Sequence, residues 1–214
     1  MVYGLKQERR NRMDEVMNQE IIPTEAVSYD GLLGKWFHFL FPVQVASVII
    51  LVISGLQIAP ITVSLISYAV SICVIVALFH MAPADKHYKT SAILHCVTVA
   101  GGLLITFTSS NLFTFAVSIC SIISSYQEYK GHSMVVAVKD GKLSQKWMNL
   151  FGWSLAVGIL TGLLSLAGTV IGVFVGISVQ TLISIILICT TVLSACVQVF
   201  YLIYLKRMQA YFPK

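Results

Sequence analysis

Three long stretches of the chain, residues 36–84, 90–127 and 147–205, contain no Asp, Glu, Lys or Arg. Drawn out as helix at about 1.5 Å per residue, they would measure roughly 74, 57 and 88 Å. The hydrocarbon core of a bilayer is only about 30 Å thick, so each stretch is long enough to cross it twice and return. The predicted fold is an all-α integral membrane protein of six transmembrane helices, arranged as three antiparallel hairpins. Every formal charge then falls on one side of the membrane.

The distribution of charge orients that bundle. Residues 1–35 hold five Lys/Arg against six Asp/Glu, while 82–90, 128–146 and 206–214 contribute net charges of +1, +2 and +3. None of the 14 Lys/Arg falls in the opposite turns, so the positive-inside rule places both termini in the cytoplasm. Scattered over four segments, the basic residues make no concentrated face of the kind that nucleic acid requires. Only 11% of residues are charged, against about 25% in soluble domains, so the lipid bilayer is the expected partner. Residues 1–35 lack an apolar segment with a cleavage site, and the first apolar run is expected to act as an uncleaved signal anchor. A plasma membrane of bacterial type is the expected location.

Residues 1–34 read as a cytoplasmic tail, with Leu5, Met13, Val16 and Met17 loosely on one face of a candidate surface helix. Asp30-Gly31 and Gly34 predict a turn before the bundle, which occupies 35–206. The spans are expected at 36–57, 61–81, 91–108, 112–126, 147–172 and 178–205, and 207–214 form a cytoplasmic C-terminus. Asn111 is the expected cap of the fourth span and Ser144 of the fifth. Residues 131–146 are the one sizeable internal loop expected, turning at Asp140-Gly141, and Val173–Ile177 form the last outer turn. The aromatic residues Trp36, Trp147, Trp153, Tyr88, Tyr126, Tyr129, Tyr201 and Tyr204 cluster near the inner boundary and read as an interfacial belt.

The chain also repeats itself. A shift of 47 residues lays Val52–Phe79 on Val99–Tyr126 with eleven of 28 pairs identical, including Ala-Val-Ser-Ile-Cys at 69–73 and 116–120. Hairpins of equal orientation would make parallel repeats about an axis normal to the membrane.

Few residues carry chemistry. Ser154, Gly158, Gly162, Ser165, Thr169, Gly172 and Gly176 recur at helical spacing on the fifth span. Such a stripe lets helix backbones approach closely, either within the chain or against a second copy or membrane partner. His38, His80, His95 and Cys96 lie near the inner edge and form the candidate metal or Cys–His set. They come from three helices without motif spacing, so no metal, cofactor or catalytic residue is assigned. Glu128 and His132, four apart, read as a solvated pair at a helix end.

The five cysteines all fall in apolar segments and read as small core residues. The lack of an ionisable carboxylate inside the apolar runs argues against a carboxylate-driven pump. The neutral polar residues inside, Gln44, Ser47, Ser64, Ser67, Ser71, Ser118, Ser121, Thr190, Thr191 and Gln198, can bond neighbouring carbonyls or bridge helices, or could instead line a path. Ala82-Pro83-Ala84-Asp85 is similar to a short run in peptide-processing membrane proteins of the accessory-gene-regulator B kind. Four residues, without that family's upstream His and Cys spacing, carry no function over. The expected function is non-enzymatic helix packing with itself or a partner. The alternative is a transporter or channel component for a small neutral or apolar solute, and a more distant one is a membrane enzyme or metal site on the inner His/Cys layer.

Overall fold

Apolar side chains in long unbroken runs leave the backbone no water to bond, and a helix satisfies every N–H and C=O internally. The computed structural model describes residues 26–55, 60–105, 110–175 and 179–213, and these form six helices. They are α1 (Ala26–Gly55), α2 (Pro60–Met81), α3 (Lys86–Ile105), α4 (Asn111–Ala137), α5 (Gly141–Val175) and α6 (Val179–Tyr211). All but α4 are long and apolar enough to cross a membrane. α4 falls short because Thr114, Ser118, Ser121, Ser124, Ser125, Gln127 and Glu128 interrupt its apolar residues.

Several boundaries differ from expectation. The turn predicted at Asp30-Gly31 and Gly34 is helix, since α1 already begins at Ala26. The loop expected over 131–146 shrinks to 138–140, because α4 continues to Ala137 and α5 starts at Gly141. α5 also passes the expected end at Gly172 and reaches Val175. Caps explain the short connections. Asp140 Oδ1 accepts the Leu143 N–H at 3.0 Å, displacing Ser144 from the expected capping role. Ser144 bonds Ser133 across the connection instead. Asp85 Oδ1 accepts the His87 N–H at 2.7 Å, and Ser110, not Asn111, caps α4. The candidate surface helix of the tail lies outside the described residues.

Each helix packs on its neighbours in chain order, and α6 packs back on α1, so the six close into a ring. The buried cluster draws on the N-terminal halves of α1, α3 and α5 (Phe37, Tyr88, Trp147) and the C-terminal halves of α2, α4 and α6 (Leu78, Val136, Tyr201). The core therefore sits at one end of the ring. Toward the other end the helices present apolar side chains outward, with Ile61, Leu65, Leu112 and Phe115 all more than 60% exposed. An apolar surface of that extent suits lipid and not water.

The ring is sealed by a seam between its first and last helices. A Cβ on Gly34 would collide with the carbonyl oxygens of Phe212 and Pro213, so the C-terminal residues lie directly on the α1 backbone. Phe37 and Phe212 rings meet at 5.5 Å. The Gln209 amide donates to the Phe37 carbonyl at 3.0 Å, one residue before the carbonyl that Pro42 leaves without its helical N–H. Lys139 reaches the same seam, pairing with Asp30, donating to the Tyr211 carbonyl and lying over the Phe212 ring.

Candidate functional site

The aromatic residues read as an interfacial belt mostly turn inward. Trp147, Tyr88, Tyr129 and Tyr201 are buried, and only Trp153 is largely exposed, at 68%. Trp147, Tyr88 and Tyr201 surround His132, whose ring lies 4.6 Å from Trp147 and 5.4 Å from Tyr88, centroid to centroid. Glu128 and His132 are likewise not a solvated pair. His132 is fully buried and Glu128 is 5% exposed. The reason is that α4 runs on to Ala137, nearly three turns past the end of its apolar run. There α3 and α6 cover the pair, through Tyr88 and Tyr201, and α5 adds Trp147.

A directed chain of hydrogen bonds ends on the Glu128 carboxylate. Tyr201 donates its hydroxyl to Glu128 Oε1 at 2.5 Å. With that proton committed, the Tyr201 oxygen accepts from His132 Nε2 at 2.9 Å. His132 Nδ1 is then the lone-pair nitrogen and accepts the Tyr88 hydroxyl at 2.9 Å. Glu128 Oε2 faces a second imidazole, with His95 Nε2 at 3.7 Å. His95 is oriented by Ser124, whose hydroxyl donates to the Ser91 carbonyl and so accepts from His95 Nδ1 at 2.9 Å. Ser91 returns the favour by donating to the Ser124 carbonyl, which locks α3 to α4 at this level. Bonded in this way, a neutral His95 turns the Nε2 lone pair toward the carboxylate and a protonated one turns an N–H.

Glu128 and His95 open onto a cavity of about 230 Å³ that takes wall residues from all six helices. Its polar walls are Gln44 and Ser47 from α1, Ser71 from α2, Ser125 from α4, Ser154 from α5 and Gln198 from α6. Tyr129 and Tyr201 complete them. Space of this size and polarity holds several waters or one small solute. Ser47, Val70 and Ser71 also border a second void, of about 270 Å³, which continues between α1 and α2 past Ser54 and Ser67. The Gln44, Ser47, Ser71 and Gln198 side chains singled out in the sequence thus share one space. The carboxylate in that space was not anticipated.

The candidate metal residues part company. His38 Nδ1 bonds the Gly34 carbonyl at 2.8 Å, His80 stacks on Trp36 at 4.3 Å, and Cys96 is exposed while its neighbour His95 enters the cavity. Among the described residues no three His, Cys, Asp or Glu side chains gather as a metal set. Cys96, Cys189 and Cys196 are exposed on the periphery, so the core role expected of the cysteines does not hold for these three. On the α5 stripe, Ser154 lines the cavity, whereas Gly158 and Gly162 face outward with nothing within 4 Å of an added Cβ. The side chains of Ser165, Thr169, Gly172 and Gly176 lie outside the described residues. Compared with protein-family models, with curated proteins and with solved structures, the chain matches none of them.

Proposed function

We propose that this chain is a multi-pass protein of a bacterial plasma membrane that moves a small polar solute along the axis of its six-helix ring. In this reading the helices cross as three antiparallel hairpins with both termini in the cytoplasm. The one-sided distribution of Lys and Arg supports that topology. So does the composition of the core, which draws alternately on helix beginnings and helix ends. α4 serves as the sixth crossing. At 27 residues it is about 40 Å long, and Ser124 and Ser125 meet the ring interior where a lone helix would meet lipid. The observation that carries the reading is the polar cavity walled by all six helices around a buried carboxylate. Ionisable groups inside a membrane protein mark substrate or ion paths far more often than they serve packing. No covalent chemistry is required of it.

The test is thiol access. In a background lacking the five native cysteines, Ser47→Cys, Ser71→Cys and Ser125→Cys should each react with a small, membrane-impermeant thiol reagent. Reagent presented from each side in turn reports which end is open. Inert thiols at all three positions, with Lys139→Cys reactive as control, would eliminate the path.

A second reading has its own observation. Gly158 and Gly162 present a small-residue face to the outside of the ring, where a second copy could seat. Gly158→Leu should then lower the detergent-solubilised mass while leaving the unfolding of the monomer unchanged. An unaltered mass would dismiss this contact.

A further inference from the structure

We propose that the central cavity binds a small monovalent cation with Glu128 as its counter-ion, and that a proton seated between His95 and Glu128 competes with it. This rests on the transport reading and names the class of solute. The cavity wall holds one carboxylate and no Lys or Arg; everything else polar in it is hydroxyl, amide, phenol or imidazole. A carboxylate removed from water is strongly unfavourable unless a positive charge or several hydrogen bonds offset it. Glu128 has one such bond at Oε1, from Tyr201, while Oε2 has before it the His95 imidazole at 3.7 Å, beyond hydrogen-bond distance. With the His95 ring neutral, two acceptors face each other at 3.7 Å and lack one positive charge between them. A proton supplies it on either partner. A cation in the cavity supplies it from the other side, with hydroxyl and amide oxygens and the rings of Tyr129 and Tyr201 as further contacts.

The two occupants exclude each other because one negative charge serves both. Protonation leaves the site neutral and releases the cation; deprotonation restores the counter-ion. Across a membrane that is exchange of one cation against one proton, with no bond other than the proton's own made or broken. The ionisable groups around the site are few. α3 brings Tyr88 and His95, α4 brings Glu128, Tyr129 and His132, and α6 brings Tyr201. α1, α2 and α5 contribute the uncharged Gln44, Ser47, Ser71 and Ser154 to the wall.

The experiment uses the full chain in phosphatidylcholine nanodiscs, carrying Trp36→Phe and Trp153→Phe so that Trp147 alone reports. That ring lies 4.6 Å from His132 and 5.0 Å from Tyr201, both hydrogen-bonded to the site. Methylammonium chloride and sodium chloride are titrated separately, with ionic strength held by a bulky glucamine salt. A saturable fluorescence change is expected with at least one of them. Its apparent dissociation constant should rise about tenfold per pH unit once the proton begins to compete, the slope for one proton displaced per cation. Glu128→Gln should abolish the response. Ser71→Leu should do the same by filling the cavity without touching a hydrogen bond of Glu128, which keeps the test decisive if the first variant misfolds. No saturable response, an affinity independent of pH, or full affinity in either variant would overturn the proposal. With reactive cavity thiols, that failure would concern the cation alone; with inert thiols, the path itself would fall.

Discussion

Tyr201 and Glu128 offer a direct measure of whether the buried site carries charge. Their contact of 2.5 Å is at the short end of the range for hydroxyl-to-carboxylate bonds, about 2.5–2.7 Å. A hydrogen bond to a charged group contributes about 1.5–3 kcal/mol, whereas side-chain bonds between membrane helices average about 0.6 kcal/mol. A double-mutant cycle with Tyr201→Phe and Glu128→Met removes donor and acceptor in turn and isolates their coupling. A coupling of about 2 kcal/mol is expected. Tyr201→Phe alone should lose more, since it also strips His132 Nε2 of its acceptor, and a buried orphan donor costs about 1–3 kcal/mol. His132 can recover part of this by sliding toward Glu128 Oε1, 3.7 Å away. Reversible unfolding in mixed micelles of denaturing and non-denaturing detergent gives the four free energies. A coupling near 0.6 kcal/mol or below would refute the reasoning, because it would describe a neutral pair and remove the counter-ion.

Two further outcomes follow from contacts elsewhere. A Cβ on Gly131 would lie 2.9–3.2 Å from atoms of the buried Tyr88 ring, which cannot swing aside without leaving His132. Gly131→Ala should therefore destabilise by about 1–3 kcal/mol, as overpacked cores do, while Gly152→Ala, with open space at its Cβ, should be neutral or mildly stabilising in the same unfolding assay. The Leu143 N–H and the Tyr211 hydroxyl hold the Asp140 carboxyl below its ordinary range. Its folded value is depressed, so its contribution is complete above the unfolded value of about 3.9 and is lost as pH falls through the folded one. Asp140→Asn should lower the midpoint of thermal unfolding at pH 7, and the gap from wild type should close as pH falls below about 4.

The helices and the connection after α2 could be read from the chain because lipid solubility is a local property, written in runs of uncharged residues. Glu128 shows where that logic stops. It lies one residue beyond the run 90–127, where the sequence predicts the water boundary, yet α4 carries it into the core. What buries it comes from far along the chain: His95 from α3 and Tyr201 from α6, 73 residues away. The i,i+4 spacing of Glu128 and His132 was the one local hint, and spacing alone does not distinguish a solvated helix end from a covered one. The aromatic belt misled for a related reason. Tyr and Trp favour a headgroup layer and a polar core equally, since both offer a partner for one end of the ring and apolar contact for the rest.

The seam at Gly34 sets Phe212 and Pro213 on the backbone of the first helix, so the ring can close only after α6 has been made. Until then five helices in the bilayer would expose an edge of α1, including the Phe37 carbonyl and the Gly34 backbone, to lipid or to a chaperone. A purification handle fused directly after residue 214 would hang from that closing joint. A comparison of chains with and without such a handle would show how tightly maturation depends on the last turn of α6.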